Sequence, residues 1–168
     1  MDIDTFFNVN KGNWISQKTS YNPNLKNHTT IKGKVCIEKN VITSMIAKQT
    51  LPINTIEENN LKTFNINWGQ AKNQRHTVVI ALEHQHTKQN CKGKVYKYDQ
   101  NSERKILEGT CQFKNDILTL NLTNGEFEAE ERIWFVNSNV KLTNSVIKRK
   151  KECILLSFSS EIKIEPNT

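Results

Sequence analysis

Residues 139–145 read NVKLTNS and residues 157–163 read SFSSEIK, so polar and apolar side chains alternate in both segments. Alternation at period two sends every second side chain to the same face of a β-sheet. Lys141, Thr143 and Ser145 are therefore predicted to share one face, and the second segment repeats the pattern with hydroxyl and carboxylate side chains. If both polar faces point into a barrel, they line a cavity that suits a large, flat, anionic ligand.

The rest of the chain contains closely spaced strand candidates and two helix candidates. Residues 2–10 predict an N-terminal helix, because Asp2 and Asp4 are good N-cap residues and aromatic residues follow them. Residues 41–51 carry apolar side chains at helical intervals before Pro52, which predicts a short capping helix. The strand candidates are residues 12–20, 30–39, 61–69, 76–83, 92–98, 104–113, 116–122, 126–136, 139–148 and 152–164. The pattern predicts an all-β fold, a ten-stranded antiparallel up-and-down barrel of the lipocalin or fatty-acid-binding-protein type.

Composition restricts the class of protein further. A chain of 168 residues with 36% apolar residues is long enough for one domain, which we expect to cover residues 1–168. The net charge of +7 comes mainly from scattered lysines, so a nucleic-acid-binding protein is not predicted. No apolar run approaches the length of about 20 residues that spans a bilayer, and the N-terminus does not resemble a signal peptide. We therefore expect a soluble, cytoplasmic protein without membrane insertion.

Cysteine and histidine spacing gives no sign of a metal centre. The four cysteines show no paired short spacing, which argues against a zinc site or a disulfide framework. We expect them to be small buried hydrophobic residues rather than nucleophiles. His84 and His86 share a strand face, but no third ligand stands at a suitable spacing. Neither a metal site nor a cofactor is predicted.

Three signatures in this chain resemble a single protein family. Gly12-Asn13-Trp14, directly after the N-terminal helix, is typical of lipocalin-like barrels, in which the glycine permits a tight turn and the indole closes the floor. The opening MDIDTFF with GNWISQKTS, the segment ERIWF with NVKLTNS, and the closing FSSEIK are similar to the S-type phycobiliprotein lyases, the CpcS/CpeS family. The signatures stand at both ends of the chain, in the same order as in the family.

The resemblance implies a bilin lyase built on a ten-stranded lipocalin-like barrel. Such an enzyme binds an open-chain tetrapyrrole and attaches it to a cysteine of a phycobiliprotein subunit in the phycobilisome. Phycoerythrobilin is the favoured chromophore and phycocyanobilin the second choice; the bilin is a substrate and not a cofactor. The family also implies a homodimer in the cyanobacterial cytoplasm or the plastid stroma. A non-catalytic bilin carrier and a lipid carrier of the same fold stay open as alternatives.

The chemistry of a bilin assigns roles to the candidate site residues. Glu131 and Glu161 are the predicted catalytic groups, because a carboxylate that pairs with the pyrrolic nitrogens holds them protonated and makes the bilin a better electrophile. Propionates attract cations, and the conjugated faces attract aromatic side chains. The predicted bilin-binding residues are Lys141, Thr143, Ser145, Trp68, Lys18, Arg132 and Trp134.

The chain departs from the family's pattern at the predicted propionate clamp. Many relatives carry Arg-x-Arg-x-Ser where this chain has Lys141, Thr143 and Ser145, and Lys18 stands where arginine is common. Arginine forms a planar fork that binds a carboxylate through two hydrogen bonds, whereas lysine is a mobile point charge. We therefore expect one clamp to be weakened and another to be lost at Thr143.

Overall fold

The computed structural model describes residues 1–40, 60–69 and 75–164, with the backbone alone described at residues 84–86. Its elements are α1 (Ile3–Asn10), β1 (Gly12–Asn22), β2 (Asn27–Lys39), β3 (Leu61–Trp68), β4 (Arg75–Thr87), β5 (Asn90–Asp99), β6 (Lys105–Lys114), β7 (Ile117–Thr123), β8 (Phe127–Asn137), β9 (Val140–Arg149) and β10 (Glu152–Ile164). Each strand pairs antiparallel with its neighbours in sequence, and β1 pairs with β10, which closes the barrel. The predicted ten-stranded antiparallel barrel is confirmed.

The first hairpin is longer than the sequence pattern predicts. β1 extends to Asn22, which lies opposite Asn27 at the start of β2. The Asn22 side chain accepts hydrogen bonds from the backbone N–H groups of Asn24 and Leu25, at 3.0 and 3.1 Å, so it organises the turn itself. The predicted capping helix at residues 41–51 lies outside the described residues.

Helix α1 closes one end of the barrel, which we call the floor; the opposite end is the mouth. Asp2 caps the helix, since its carboxylate accepts the backbone N–H of Thr5 at 2.7 Å. Phe6 is fully buried and packs edge to face on Phe113 and Phe135, with ring centroids 5.3 and 5.0 Å away. Within the described part of the chain, no helix has the length and apolar character to span a membrane.

Gly12 and Trp14 make the transition from helix to barrel. Gly12 has a φ of 122°, a conformation that side chains with a Cβ rarely adopt. Trp14 is fully buried and donates its indole N–H to the backbone carbonyl of Asn10 at 3.0 Å. The glycine makes the turn and the indole closes the floor, as the sequence motif predicts.

The interior of the barrel has two chemically different sides. Strands β2–β7 contribute apolar side chains such as Val35, Ile80 and Leu120, which we call the apolar wall. Strands β1, β9 and β10 form the polar wall, because polar residues occupy most of their inward positions, and β8 beside β9 adds Glu131 among apolar inward residues. The buried polar side chains of this wall are Ser16, Lys141, Ser145, Ser159 and Glu161.

Candidate functional site

The barrel encloses a cavity of about 380 Å³ above the floor. Side chains from strands that are distant in sequence meet there, because closure of the sheet brings β1 beside β10. Most of the predicted site residues line this cavity. They are Glu131, Glu161, Lys141, Thr143, Ser145, Trp68 and Lys18.

Arg132 and Trp134 do not line the cavity, which corrects their predicted placement. They alternate along β8 with Glu131 and Ile133, whose side chains line the lumen, so their own side chains lie on the outer face. Arg132 pairs there with Glu130, with Nε and Oε1 2.8 Å apart, and its side chain is 58% exposed. Neither residue is placed to contact a ligand inside the barrel.

A wider depression of about 560 Å³ lies on the outer face beside Arg132. Apolar side chains such as Leu156 and Phe158 line much of it, and the arginine is already paired with Glu130. The lumen is the better candidate for a ligand site, because it combines charged, hydroxyl and aromatic groups in a concave space.

Lys141 and Glu161 form a buried ion pair deep in the lumen. Nζ and Oε2 lie 2.6 Å apart, and each side chain is only 6% exposed. The two residues are direct cross-strand partners on β9 and β10, so the sheet register creates the pair. Lys141 also donates to the Asn10 side chain at 3.0 Å, and its ammonium lies 4.8 Å from the centre of the Trp14 ring. The protein itself therefore uses much of the capacity of this ammonium group.

The buried pair has little net charge to offer a ligand. Burial lowers the pKa of Lys141, and the neighbouring Glu161 carboxylate offsets part of that effect. Ser16 donates to the other Glu161 carboxylate oxygen at 3.5 Å. Because opposite charges cancel at contact distance, Lys141 is a weak clamp for a ligand carboxylate, and Glu161 is a weak partner for pyrrolic nitrogens.

Lys18 and Glu131 line the same lumen without such a pairing. Lys18 lies on β1 beyond Trp14, opposite Ser159 of β10, and Glu131 lies on β8 opposite Ser145 of β9. Neither side chain forms a hydrogen bond or an ion pair within the described residues. Both charges are therefore available to a ligand.

Hydroxyl groups and an aromatic ring fill the remaining positions. Thr143 and Ser145 of β9 lie opposite Ser159 and Ser157 of β10, and all four side chains line the cavity. Trp68 contributes an aromatic surface on β3, away from the polar wall. A flat ligand in this lumen would contact hydroxyl groups along one edge and an indole at another.

Three further polar residues line the cavity and are not predicted from the sequence: Asn10 at the end of α1, Lys97 on β5 and His76 on β4. Lys97 follows the buried Val95 at period two, which is the signal of an inward position. Exposed lysines at positions 92 and 94 obscure that signal, because lysine then occurs on both faces of one strand. His76 stands near the start of its strand, where alternation has too few residues to be recognised.

Cysteine chemistry plays no part in the described cavity. Cys91 and Cys111 are buried in the hydrophobic core, and the other two cysteines are half-buried and free. Burial raises the pKa of the Cys111 thiol to about 12, so this group stays protonated at neutral pH. Among the residues that the structure describes, no group of three side chains could hold a metal ion.

Comparison with known proteins covers nearly the whole chain. A family model described as CpeS-like protein matches residues 2–164. The chain belongs to this family. A chromophore lyase CpcS/CpeS homolog of Pyropia yezoensis is 25% identical over 163 residues, covering 97% of this chain and 99% of that protein. A chromophore lyase CpcS/CpeS of Thermosynechococcus vestitus is 27% identical over 177 residues, covering 98% of this chain and 93% of that protein.

A solved structure shares the fold of this family member. The S-type phycobiliprotein lyase CPES of Guillardia theta matches with a TM-score of 0.68 at 18% identity, covering 99% of this chain and 95% of that one. The predicted family resemblance is confirmed, and the curated relatives carry the name of the enzyme class that the sequence predicts.

The arrangement can orient and polarise a conjugated anion. An unpaired carboxylate stabilises positive charge on a ligand held beside it, and unpaired ammonium groups attract its acidic substituents. No cysteine lies among the residues that line the described cavity. The described residues of this CpeS-like protein therefore offer charged and hydroxyl groups that can position such a ligand.

Proposed function

We propose that this protein is a bilin lyase. It binds a linear tetrapyrrole in the barrel lumen and attaches it to a cysteine of a phycobiliprotein subunit, with phycoerythrobilin favoured over phycocyanobilin. The names of the curated relatives support the class of reaction. The observation that carries the proposal is the unpaired Glu131 carboxylate, which lines the lumen among hydroxyl groups and across from the Trp68 indole.

Glu131 acts on the electrophile. A carboxylate beside the pyrrolic nitrogens accepts their N–H hydrogen bonds and keeps the bilin protonated, which draws electron density from the conjugated system. The thiolate of the acceptor protein then adds to a carbon–carbon double bond of the bilin. A carbon–sulfur bond forms, the carbon–carbon π bond breaks, and a proton completes the addition, so no group leaves. The lyase contributes orientation and charge stabilisation.

The alternative is a bilin carrier that binds the chromophore without completing its transfer. The observation that favours a carrier is Thr143, which removes a charge from the predicted clamp, together with the internally paired Lys141. Binding alone fits both functions. Only transfer to an acceptor subunit separates them.

The test uses Glu131→Gln, which removes the charge and keeps the shape. We expect free phycoerythrobilin to give a red-shifted, sharpened absorption with the native protein, and the variant to lose the long-wavelength component. Transfer to an added phycobiliprotein subunit should fall about 100-fold, the scale of one general acid–base group, while bilin affinity changes less. Glu128→Gln is the matched control, because Glu128 is an exposed carboxylate on the outer face of the same strand.

Other outcomes reject parts of the proposal. An unchanged spectrum and transfer rate in Glu131→Gln would exclude Glu131 from the chemistry. Binding by the native protein without any transfer would favour the carrier. Bilin that stays on the lyase in a denaturing gel would contradict the view that its own cysteines do not react.

We also propose that the protein is a homodimer and that a second copy covers the outer face of β1, β9 and β10. The segments concerned are residues 13–21 of β1, 140–146 of β9 and 156–162 of β10. None of their outward-facing side chains is charged, although the chain has a net charge of +7. Ile15, Phe158 and Ile162 are 53%, 47% and 58% exposed there. Two like-charged copies repel each other least through an uncharged face, and contact on the side of the barrel leaves its mouth accessible.

Sedimentation equilibrium tests the dimer. We expect the native protein to sediment at about twice its 19.5 kDa chain mass and Ile162→Lys to sediment as a monomer. Leu25→Lys is the control, because Leu25 is 68% exposed in the turn between β1 and β2. A monomeric native protein would reject the dimer. If this face binds an acceptor subunit instead of a second copy, the native protein will sediment as a monomer, and Ile162→Lys will reduce bilin transfer without changing the sedimenting mass.

A further inference from the structure

Lys97 and His76 bring cationic and imidazole groups to the apolar wall. Lys97 lies on β5 opposite Val78 of β4. His76 lies two residues before Val78 on the same face of β4, opposite Asp99. Both side chains line the lumen with Lys18 and Trp68. They belong to β4 and β5, whereas Lys18 belongs to β1, so the polar groups stand on different sides of the cavity.

The positive charge of Lys97 has no internal counter-ion in the described structure. Its side chain forms no ion pair with any described residue, unlike Lys141. The nearest acidic residue on its strand, Asp99, accepts hydrogen bonds from the backbone N–H of Ser102 at 2.8 Å and of Asn101 at 3.1 Å. Both bonds end on the same carboxylate oxygen, Oδ1, which is therefore held by the turn after β5.

His76 has an unused polar atom at the same place. Its Nδ1 is buried and has no hydrogen-bond partner among the described residues. Burial lowers the pKa of His76 and the Lys97 charge lowers it further, while the Asp99 carboxylate opposite it offsets part of the shift, so the net effect favours the neutral imidazole. A buried polar atom without a partner is unfavourable, and a bound ligand would relieve that cost.

We propose that Lys97, assisted by His76, binds a carboxylate of the ligand across the lumen from Lys18. The inference rests on the proposed function, since a bilin carries two propionates. Lys141 is neutralised by Glu161, so the cations of the described cavity that remain for two carboxylates are Lys18 and Lys97. Lys97 then supplies, from the opposite side, the charge that Thr143 does not supply on β9, and this fixes how the tetrapyrrole lies in the barrel.

The experiment compares phycoerythrobilin with its dimethyl ester, which has no carboxylate charge. In the native protein the free acid should bind more tightly than the ester. Lys97→Gln should weaken binding of the free acid about tenfold, the effect of losing one charge-assisted hydrogen bond, and leave the ester unchanged. Lys92→Gln is the matched control, because Lys92 is exposed on the outward side of the same strand. Lys97→Arg should restore the preference for the free acid, which excludes a folding defect as the cause.

The outcomes separate this inference from the proposed function. If native protein and Lys97→Gln bind the free acid equally well, Lys97 does not hold a carboxylate, while bilin binding stands. If Lys97→Gln weakens the acid and the ester alike, the lysine acts on packing and the inference fails. If the native protein binds neither form, the proposed function fails, and this assignment fails with it.

Discussion

Two lysine–glutamate combinations share one lumen and have opposite environments. Lys141 and Glu161 contact each other at 2.6 Å and are almost fully buried above the floor. Lys18 and Glu131 line the same cavity but pair with no described residue. The residue types are identical, so the difference lies in the register: β9 and β10 place the first two opposite each other, whereas β1 and β8 are separated by two strands.

The difference separates structural charges from charges that a ligand can use. In a buried pair each charge is the counter-ion of the other. Loss of either partner is destabilising, because the remaining charge is left buried without a counter-ion and without hydration. An unpaired charge in a cavity contributes little to folding and is free to bind an ion of opposite sign. We therefore expect substitutions at the deep pair to change stability, and substitutions at the unpaired residues to change binding and transfer.

The largest expected effect follows from breaking the deep pair. Glu161→Gln should lower the free energy of unfolding by about 3 kcal/mol, because the Lys141 ammonium is left buried without a counter-charge. Urea denaturation followed by tryptophan fluorescence measures the change. Glu130→Gln is the control, since its ion pair with Arg132 is exposed and should contribute less than about 1 kcal/mol.

A double substitution sharpens the same comparison. Lys141→Met with Glu161→Leu removes both buried charges together, and apolar side chains of similar volume often restore or exceed the stability of such a pair. We expect the double variant to be more stable than Glu161→Gln. If Glu161→Gln is as stable as the native protein, the pair is hydrated. Lys141 and Glu161 would then not be structural charges that differ from Lys18 and Glu131.

A smaller effect is expected where the polar wall lacks a cation. Thr143→Arg introduces a charge beside Ser145 and should tighten binding of a bilin with free propionates about tenfold, as one added charge-assisted bond does. Fluorescence or absorption titration measures the affinity, and the dimethyl ester is the control because it gains nothing. Added salt should reduce the gain. Weaker binding would mean that Thr143 packs directly on the ligand.

Much of the fold follows from local rules. Period-two alternation identified the strands, and the Gly12–Trp14 motif identified the floor, because both signals lie within short segments. Alternation also placed Lys141, Thr143 and Ser145 on one face, where the structure has them. The same rule places Arg132 outside the lumen, so only the family signature, and not the geometry of its strand, marks it as a site residue.

The pairing of Lys141 with Glu161 could not be predicted from alternation. Which residues lie opposite each other depends on the register, and the register of β9 with β10 shifts between Cys153 and Leu155. Counting across the turn therefore gives the wrong partners. Lys97 escapes prediction for a different reason: lysine occurs on both faces of β5, at positions 92, 94 and 97, so alternation alone does not single out the inward one.

The smallest expected effect tests whether Lys18 is free while Lys141 is not. Lys18→Arg should tighten binding of the free bilin acid about threefold, because Lys18 lines the cavity without an internal partner and a guanidinium forms two parallel hydrogen bonds with a propionate. The same change at Lys141 should not improve binding. Its ammonium already contacts Glu161 and Asn10, so a bulkier group strains the packing and lowers stability by about 1–3 kcal/mol. Titration and urea denaturation of both variants give the answer. If Lys141→Arg tightens bilin binding and keeps full stability, the buried lysine is also available to the ligand. Burial would then not explain why Lys18 and Lys141 differ in their availability to a ligand.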